Sequence, residues 1–439
     1  MMDAHRSVDV LVLGGGPAGS AAGTLLADAS LETLLIERES FPRFHEGESL
    51  LPHTLPLLDR LGVHDEVRSL PNTRQKAGAT FVAGDGNRQV TYWYDSALPQ
   101  ALPYAYQVRR DEFDAVLLAN ARRRGVEVLE GWTAVAPVWE GDRLKGLNVR
   151  DPEGSQYLVS CRALLDASGH SAFLASRMGW RFPYQRRQKL AILSHFRGVL
   201  LPPGRESGNI TIITGDDGWF WVLPFAGDTV SVGAVLDLAR WRSAGGDPEA
   251  LFAASIAATP EIARRMARAK AVRPFSVIQN LSFRVNRIAG PGYCLIGDAA
   301  GFLEPVFSTG VFLAITTAVS AAEDIIDALA RHRRVEANDF APTVALTRSL
   351  HRLFFSLIRS FNDPHFLALF FAPPPFLNLA GALGSLLAGD VERPGTWRRI
   401  GRYRILQLLA KAQRVRGTSK APSIAPLDGT SPPDRRVAP

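Results

Sequence analysis

Three glycine-containing stretches carry residues whose types and spacing suit the binding of a dinucleotide. Gly14-x-Gly16-x-x-Gly19 follows the apolar run Val10 to Leu13 at once, and Glu37 closes a second apolar run, Thr33 to Ile36. In such a unit Gly14 permits the tight turn, Gly16 lets the backbone approach a pyrophosphate, and Gly19 lets the next helix pack on the strand. Pro17 and Ala18 open that helix, whose free N–H groups and positive dipole end attract phosphate. Glu37, followed by Arg38, stands about 20 residues downstream, where a carboxylate accepts bonds from a ribose 2′-OH. The loop Phe41 to Pro52 adds Arg43, His45, Glu46, Glu48 and Ser49; by composition it reads equally as a cofactor contact or a charged surface loop. Later, Asp166-Ala167-Ser168-Gly169 and Gly297-Asp298-Ala299-Ala300-Gly301 each end an apolar run in a sharp turn suited to approaching a nucleotide.

Other chemistries lack their residues. There is no Ser/His/Asp nucleophile elbow and no HxxxH or CxxC pair, so hydrolase and metalloenzyme readings have no support. Cys161 and Cys294 lie singly in apolar runs, which predicts neither a disulfide framework nor a metal site.

The elements that must position these residues follow from periodicity. Residues 10–37 read as strand, small-residue helix and strand. A helix is expected over Leu55 to Leu61, a sheet edge over Ala77 to Tyr94, and a helix over Ala115 to Arg124 ended by Gly125. Val126 to Leu129, Thr133 to Trp139, Gly146 to Arg150 and Tyr157 to Cys161 alternate and are joined by turn residues, which predicts a small antiparallel layer. Ala163 to Leu165 is a separate apolar strand. A second body with strands at Ala191 to Val199, Asn209 to Thr214, Trp219 to Pro224 and Val230 to Leu236 lacks phosphate loops, and Pro248 to Ala269 is helical, divided at Pro260. Gly292 to Ile296 and the helix Val311 to Leu329 then return to the cofactor-like pattern, so the nucleotide domain is discontinuous in sequence. The division expected is residues 1–75, 105–186 and 280–330 for the nucleotide domain and 76–104 and 187–279 for a substrate-facing sheet. A helical, basic region over 331–416 and a disordered tail over 417–439 complete it.

With 439 residues, 46% hydrophobic and 21% charged, the composition is that of a soluble globular protein of two domains plus an extension. The formal charge of +7 concentrates near the end, in Arg398, Arg399, Arg402, Arg404, Lys411, Arg414 and Arg416. That clustering suits an acidic partner or a solvated helix face, and no nucleic-acid motif accompanies it. The most apolar window, Phe366 to Gly389, is broken by Pro373-Pro374-Pro375, so no transmembrane segment is predicted. Without an apolar signal segment before the first strand, cytoplasmic residence is expected.

Taken together, the Gly14 loop with Glu37, Gln107-Val108-x-Arg110-x-x-Phe113-Asp114, Asp166 to Gly169 and Gly297 to Gly301 resemble the flavoprotein monooxygenases of the p-hydroxybenzoate hydroxylase type. Within that group the chain looks like the flavin-dependent halogenases, on the loop Phe41 to Pro52, the segment Gly218-Trp219-Phe220-Trp221-Val222-Leu223-Pro224, and Lys76 in Gln75 to Phe81. The similarity covers roughly residues 8 to 330. It implies an α/β (α+β) architecture with a Rossmann-like FAD-binding domain, a mostly antiparallel substrate sheet and a C-terminal helical region. Leu223 replaces the isoleucine of the family's WxWxIP pattern, a volume-conserving exchange. Phe307 stands where tryptophan halogenases carry a glutamate, which points to the branch acting on phenols or pyrroles, often carrier-bound.

The resemblance further implies that reduced FAD gives a C4a-hydroperoxide with O2, that chloride or bromide attacks its distal oxygen, and that hypohalous acid travels to a separate substrate pocket. Lys76 is then the catalytic group, as an ammonium polarising hypohalous acid or as an amine forming a chloramine. Trp219 and Trp221, two apart on one face of a strand, would with Pro224 and Phe307 separate substrate from flavin; two core aromatics is the other reading. Thr309 and Gly310 would offer N–H groups to halide, or merely cap the helix. Asp298 would bond the ribityl hydroxyls and Arg110 the pyrophosphate or adenosine side, while Arg43, Glu48, Ser49, Asp166 and Gly297 would flank the cofactor. A separate NAD(P)H flavin reductase would supply FADH2, since no second dinucleotide loop is visible. The rivals are an FAD-dependent hydroxylase, dehydrogenase or prenyl-type reductase on the same scaffold, and a flavin-binding protein without turnover.

Overall fold

In a computed structural model of the chain, residues 5–97, 102–184, 188–243, 245–331, 334–391 and 396–416 are described, without the side chains of 396–399 and 416. The tail expected to be disordered, 417–439, lies outside the described residues.

The strand His5–Leu13 ends in a fully apolar run because parallel neighbours cover both of its edges: Thr33–Glu37 on one side and Gln156–Asp166 on the other. Tyr293–Leu295 extends the sheet beyond Asp166, and Glu127–Glu130 closes the opposite edge. Pro at the first turn and small residues along Pro17–Asp28 let that helix lie close against Gly310–Arg331. The carboxyl ends of three adjacent strands, at Leu13, Asp166 and Leu295, therefore open toward one crevice, the place where open parallel sheets bind ligands.

The structure corrects the expected antiparallel layer. Thr133–Glu140, Arg143–Arg150 and the start of Gln156–Asp166 do form one, but Glu127–Glu130 runs parallel to Thr33–Glu37, with Glu130 beside Glu37. The helix Arg110–Arg123 is the crossover that delivers it, and an edge strand alternates as an antiparallel one does. Ala163 to Leu165 is not a separate strand either. Gln156–Asp166 is continuous, pairing antiparallel with Arg143–Arg150 over its first half and parallel with Tyr293–Leu295 at its end. The stretch Ala77 to Tyr94 is a hairpin, Gly78–Val82 with Gln89–Trp93.

The second large sheet is mostly antiparallel, apart from Ile210–Gly215 beside Gly78–Val82. Its central strands are buried on both faces, while the edge strands Gln89–Trp93, Lys270–Ala271 and Ser276–Gln279 are half-buried or exposed. From Gly218–Pro224, Phe220 and Val222 face a cluster closed by the helices Pro248–Ala257 and Pro260–Met266. Trp219, Trp221 and Leu223 face the other way, into a core shared with the helices Ala341–Phe361, Pro364–Phe371, Leu379–Leu387 and Thr396–Arg416. Among the described residues no single helix is long and apolar enough to cross a membrane, and the segments Pro364–Phe371 and Phe376–Leu387 bend by 115° at the proline break.

Candidate active site

Three close approaches shape the crevice. Gly14 has φ +110°, and a Cβ there would lie 2.4 Å from the carbonyl oxygen of Ala167, so the first loop can nest against the Asp166 turn only as glycine. At Gly19 a Cβ would come within 1.9 Å of the Gly14 oxygen, which fixes the helix onto its loop. Gly16 and Gly310, in contrast, face open space, with only Arg43 Nη2 at 3.6 Å from a Cβ on the former and nothing within 4 Å on the latter. These two glycines leave a cradle in front of two helix starts, Pro17–Asp28 and Gly310–Arg331. Glu37 receives the Gly15 N–H at 2.7 Å and the Glu39 N–H at 2.9 Å, which ties the second strand's end to the glycine loop.

The cradle opens into a cavity of about 640 Å³ that runs from Glu37, Arg38 and Trp132 past Gly14, Gly16 and Asp298 to Ile210, Trp219 and Trp221 of the second sheet. Along it stand the guanidinium groups of Arg43 and Arg110, both held on one buried carboxylate. Arg110 donates to Asp114 through Nε at 2.7 Å and Nη2 at 2.9 Å, and Arg43 Nη1 donates to the same side chain at 3.1 Å. Burial alone would raise the Asp114 carboxyl; Arg110 outweighs it and holds the group below its ordinary range. Asp298 also lines the cavity, and burial pushes it up to about 7 against the pull of Arg110. Fixed cations, an open helix start and an apolar far end match a ligand with a diphosphate in the middle and a flat ring at one end, which is the form of FAD. The residues present thus fit that cofactor.

A second cluster, which the sequence offered only as loop charges, seals the seam between the sheets. Glu48 Oε1 accepts from His195 Nε2 at 2.9 Å, and both side chains are buried. Arg273 lies 3.3 Å from the centre of the Phe44 ring, a cation–π contact, and Phe44 meets His195 edge-on. Glu46, on the cavity wall, is pushed up to about 8 by burial and then by the charge of Glu48. His195 had no signal in the sequence beyond being a polar residue within an apolar strand.

Lys76 ends the short strand Arg74–Lys76, which pairs with Ala105–Gln107; Ser49 bridges to Gln107 on that strand's other side. Across it, Lys76 Nζ donates to Ser49 Oγ at 2.7 Å. The ammonium is 1% exposed, with Tyr94 5.7 Å away, and burial pulls it down to about 7. Ser49 lines the cavity and Lys76 does not, so one hydroxyl separates the amine from the lumen.

Of the residues singled out from sequence, Gly14, Gly16, Pro17, Ala18, Glu37, Arg38, Arg43, Glu48, Ser49, Arg110, Asp298, Gly310, Trp219 and Trp221 line this one cavity. Others stand behind its wall. Asp166 is fully buried and accepts the N–H groups of Ser168 at 3.1 Å and Leu174 at 2.8 Å, so it shapes a loop whose Ala167, Ser168 and Gly169 reach the lumen in its place. Gly19 and Gly297 act in packing, the latter with Ala18 Cβ 3.2 Å from where its own Cβ would be. Thr309 is buried while Ser308, at φ +56°, lines the wall. Pro224 is buried off the wall, and Phe307 sits in an aromatic core with Phe81 at 6.3 Å and Phe361 at 5.4 Å. Trp219 donates through Nε1 to Glu304 Oε1 at 2.5 Å and Trp221 to Ser231 Oγ at 3.2 Å, which orients both indoles. Among the described residues no group of His, Cys, Asp and Glu is arranged to hold a metal ion.

Residues 7–339 match the FAD binding domain family. The chain is 32% identical over 333 residues to the tryptophan 2-halogenase of Chondromyces crocatus, covering 74% of this chain and 62% of that protein, so it spans less than two thirds of that relative's length. Over 335 residues it is 31% identical to the 1H-pyrrole-2-carbonyl-(peptidyl-carrier protein) brominase of Pseudoalteromonas luteoviolacea strain 2ta16, covering 75% of this chain and 79% of that one. A solved flavoprotein/dehydrogenase from Cytophaga hutchinsonii superposes with a TM-score of 0.85 at 28% identity, over 94% of this chain and 100% of that one.

Proposed function

The chain belongs to the flavin-dependent halogenases, with their FAD binding domain over residues 7–339, and from that premise we propose that it halogenates an electron-rich aromatic of the phenol or pyrrole type. The observation that carries the reading is a buried lysine set one hydroxyl behind the wall of a dinucleotide-shaped cavity. Bound reduced FAD supplies the oxygen chemistry that oxidises chloride or bromide.

The remaining tasks fall to the protein. Arg43, Arg110 and the start of the helix Pro17–Asp28 hold the diphosphate, and Glu37 and Asp298 accept from sugar and ribityl hydroxyls. The backbone at Thr309 and Gly310 offers N–H groups to the halide at a helix start. Trp219 and Trp221 keep the organic substrate from the ring end of the cavity. An oxidised halogen reaching Ser49 meets Lys76 Nζ when the serine hydroxyl turns aside, and an amine pulled down to about 7 is available at neutral pH both as donor and as nucleophile. Phe307, standing where tryptophan halogenases carry a glutamate, packs into an aromatic core and supplies no carboxylate, which supports a phenol or pyrrole over free tryptophan. Likeness to a brominase of carrier-bound pyrrole supports a tethered substrate, and an external NAD(P)H flavin reductase and cytoplasmic residence belong to the same reading.

The test is mass spectrometry of free and carrier-tethered phenols and pyrroles incubated with the protein, FAD, a reductase and each halide. Halide-dependent product is expected from the wild-type chain and none from Lys76→Ala, with flavin reoxidation persisting in both. Undiminished product from Lys76→Ala would remove the lysine from the chemistry. Rapid NAD(P)H oxidation without added reductase would remove the external reductant.

A further inference from the structure

We propose that Glu304 is a positioning residue that locks the Trp219 indole at the cavity wall and ties it to the candidate halide loop. The inference rests on the halogenase reading given above. Glu304 is 2% exposed, and a single oxygen, Oε1, accepts both from Trp219 Nε1 at 2.5 Å and from Lys189 Nζ at 2.7 Å. Lys189 also reaches Asn362 Oδ1 at 3.5 Å, at the end of the helix Ala341–Phe361. One carboxylate thereby joins the cofactor-side segment, two strands of the second sheet and the C-terminal helices.

Its place in the chain gives this joint a consequence. Glu304 precedes the short turn Pro305–Phe307, and that turn delivers Ser308, Thr309 and Gly310 to the start of the helix Gly310–Arg331. Leu303 and Pro305, on either side of it, line the cavity, while the carboxylate itself points away into the seam with its two donors. Lys189 neutralises the buried charge, so the indole N–H bonds to an ionic acceptor without leaving an unpaired carboxylate. Trp219 is also 5.9 Å from Trp221. Releasing the first indole loosens the wall that the pair makes. Glu304 touches neither substrate nor cofactor in this scheme; it acts through Trp219.

The signature is a loss of fidelity. Glu304→Ala should lower halogenated product per FADH2 oxidised by about tenfold, the factor carried by one hydrogen bond to a charged group, with the missing oxidant recovered as hydrogen peroxide. Glu304→Gln keeps an acceptor for the indole and should restore most of the yield. Trp219→Phe should show the same loss, and the double variant no more than either single one. An independent reading uses the flavin-free protein: the fluorescence difference between each variant and its Trp219→Phe counterpart reports acrylamide access to Trp219. Access should rise in Glu304→Ala and stay low in Glu304→Gln. Unchanged access in Glu304→Ala would overturn the proposal, as would losses that add in the double variant. If the wild-type chain halogenates nothing, the quenching measurement still decides whether Glu304 holds the indole.

Discussion

Replacing Lys76 with methionine should make the protein more stable at neutral pH and inactive as a halogenase. The side chain is 1% exposed, and burial lowers its ammonium from 10.5 to about 7. At about 1.4 kcal/mol per pH unit, holding this lysine in the fold costs about 4 kcal/mol at pH 7. The sign follows from proton binding: between pH 7 and 10.5 the unfolded chain keeps the proton that the folded chain has released, so stability rises with pH through that window. Methionine fills a similar volume without the charge, but it forfeits the bond to Ser49 and leaves that hydroxyl a weaker partner, an offset of about 1–2 kcal/mol. The net gain is about 2–3 kcal/mol at pH 7. Spread over 439 residues at ~2.1 cal/mol/K each, it raises the melting temperature by about 2–3 °C. The assay is calorimetry of the flavin-free protein at pH 7 and pH 10 beside a halogenation assay. A gain at pH 7 that vanishes by pH 10 is expected. Equal destabilisation at both values would mean the ammonium is solvated or paired in the fold, and the argument for a tuned amine would fail.

Three further outcomes can be checked separately. Gly14→Ala should abolish FAD retention on gel filtration, because the added Cβ meets the Ala167 carbonyl oxygen at 2.4 Å in a backbone conformation, φ +110°, that alanine resists. Phe307→Glu should lower stability by at least about 3 kcal/mol in chemical denaturation, since it strips an aromatic contact from Phe81 and Phe361 and buries a carboxylate in an apolar cluster. Glu46→Gln should be indistinguishable from wild type in melting temperature below about pH 4 and progressively more stable from there toward pH 8, because burial raises the native carboxyl from 4.5 to about 8 and the unfolded chain alone is ionised between those values.

Local motifs survived the passage from sequence to structure, and relations between segments did not. The Gly14 loop, the Glu37 terminus and the Gly297 turn were readable because phosphate loops need glycine at fixed offsets, and the structure gathers them around one crevice. The break at Pro260 and the facing of Trp219 and Trp221 follow from single-residue geometry. Glu127–Glu130 reads as antiparallel because an edge strand of a parallel sheet alternates like an antiparallel one, and Gln156–Asp166 reads as two strands because its partner changes midway while its backbone does not. Asp166 reads as a ligand from sequence because it stands in a cofactor loop; in the fold its side chain is fully buried behind the cavity wall, where it accepts the N–H groups of Ser168 and Leu174. No periodicity could pair His195 with Glu48 or Glu304 with Lys189, since those contacts cross 147 and 115 residues of chain.

Those long-range contacts share a location, and that gives them a common physical role. His195 with Glu48, Lys189 and Trp219 with Glu304, and Lys76 with Ser49 each join a side chain on or beside the second sheet to a loop of the cofactor-side crevice. An apolar seam would hold the two bodies together with less desolvation. Hydrogen bonds at fixed distances add orientation, and orientation is what separate sites for oxidising a halide and for delivering it require. In the mechanism proposed above delivery depends on the indole at 219 and the amine at 76, and each is held by a partner across the seam. Changes at Glu304 or Ser49 should therefore alter product yield per flavin oxidised while leaving flavin affinity close to that of the wild-type chain. Changes at Arg43 or Arg110, whose anchor is Asp114 on the cofactor side, should do the reverse.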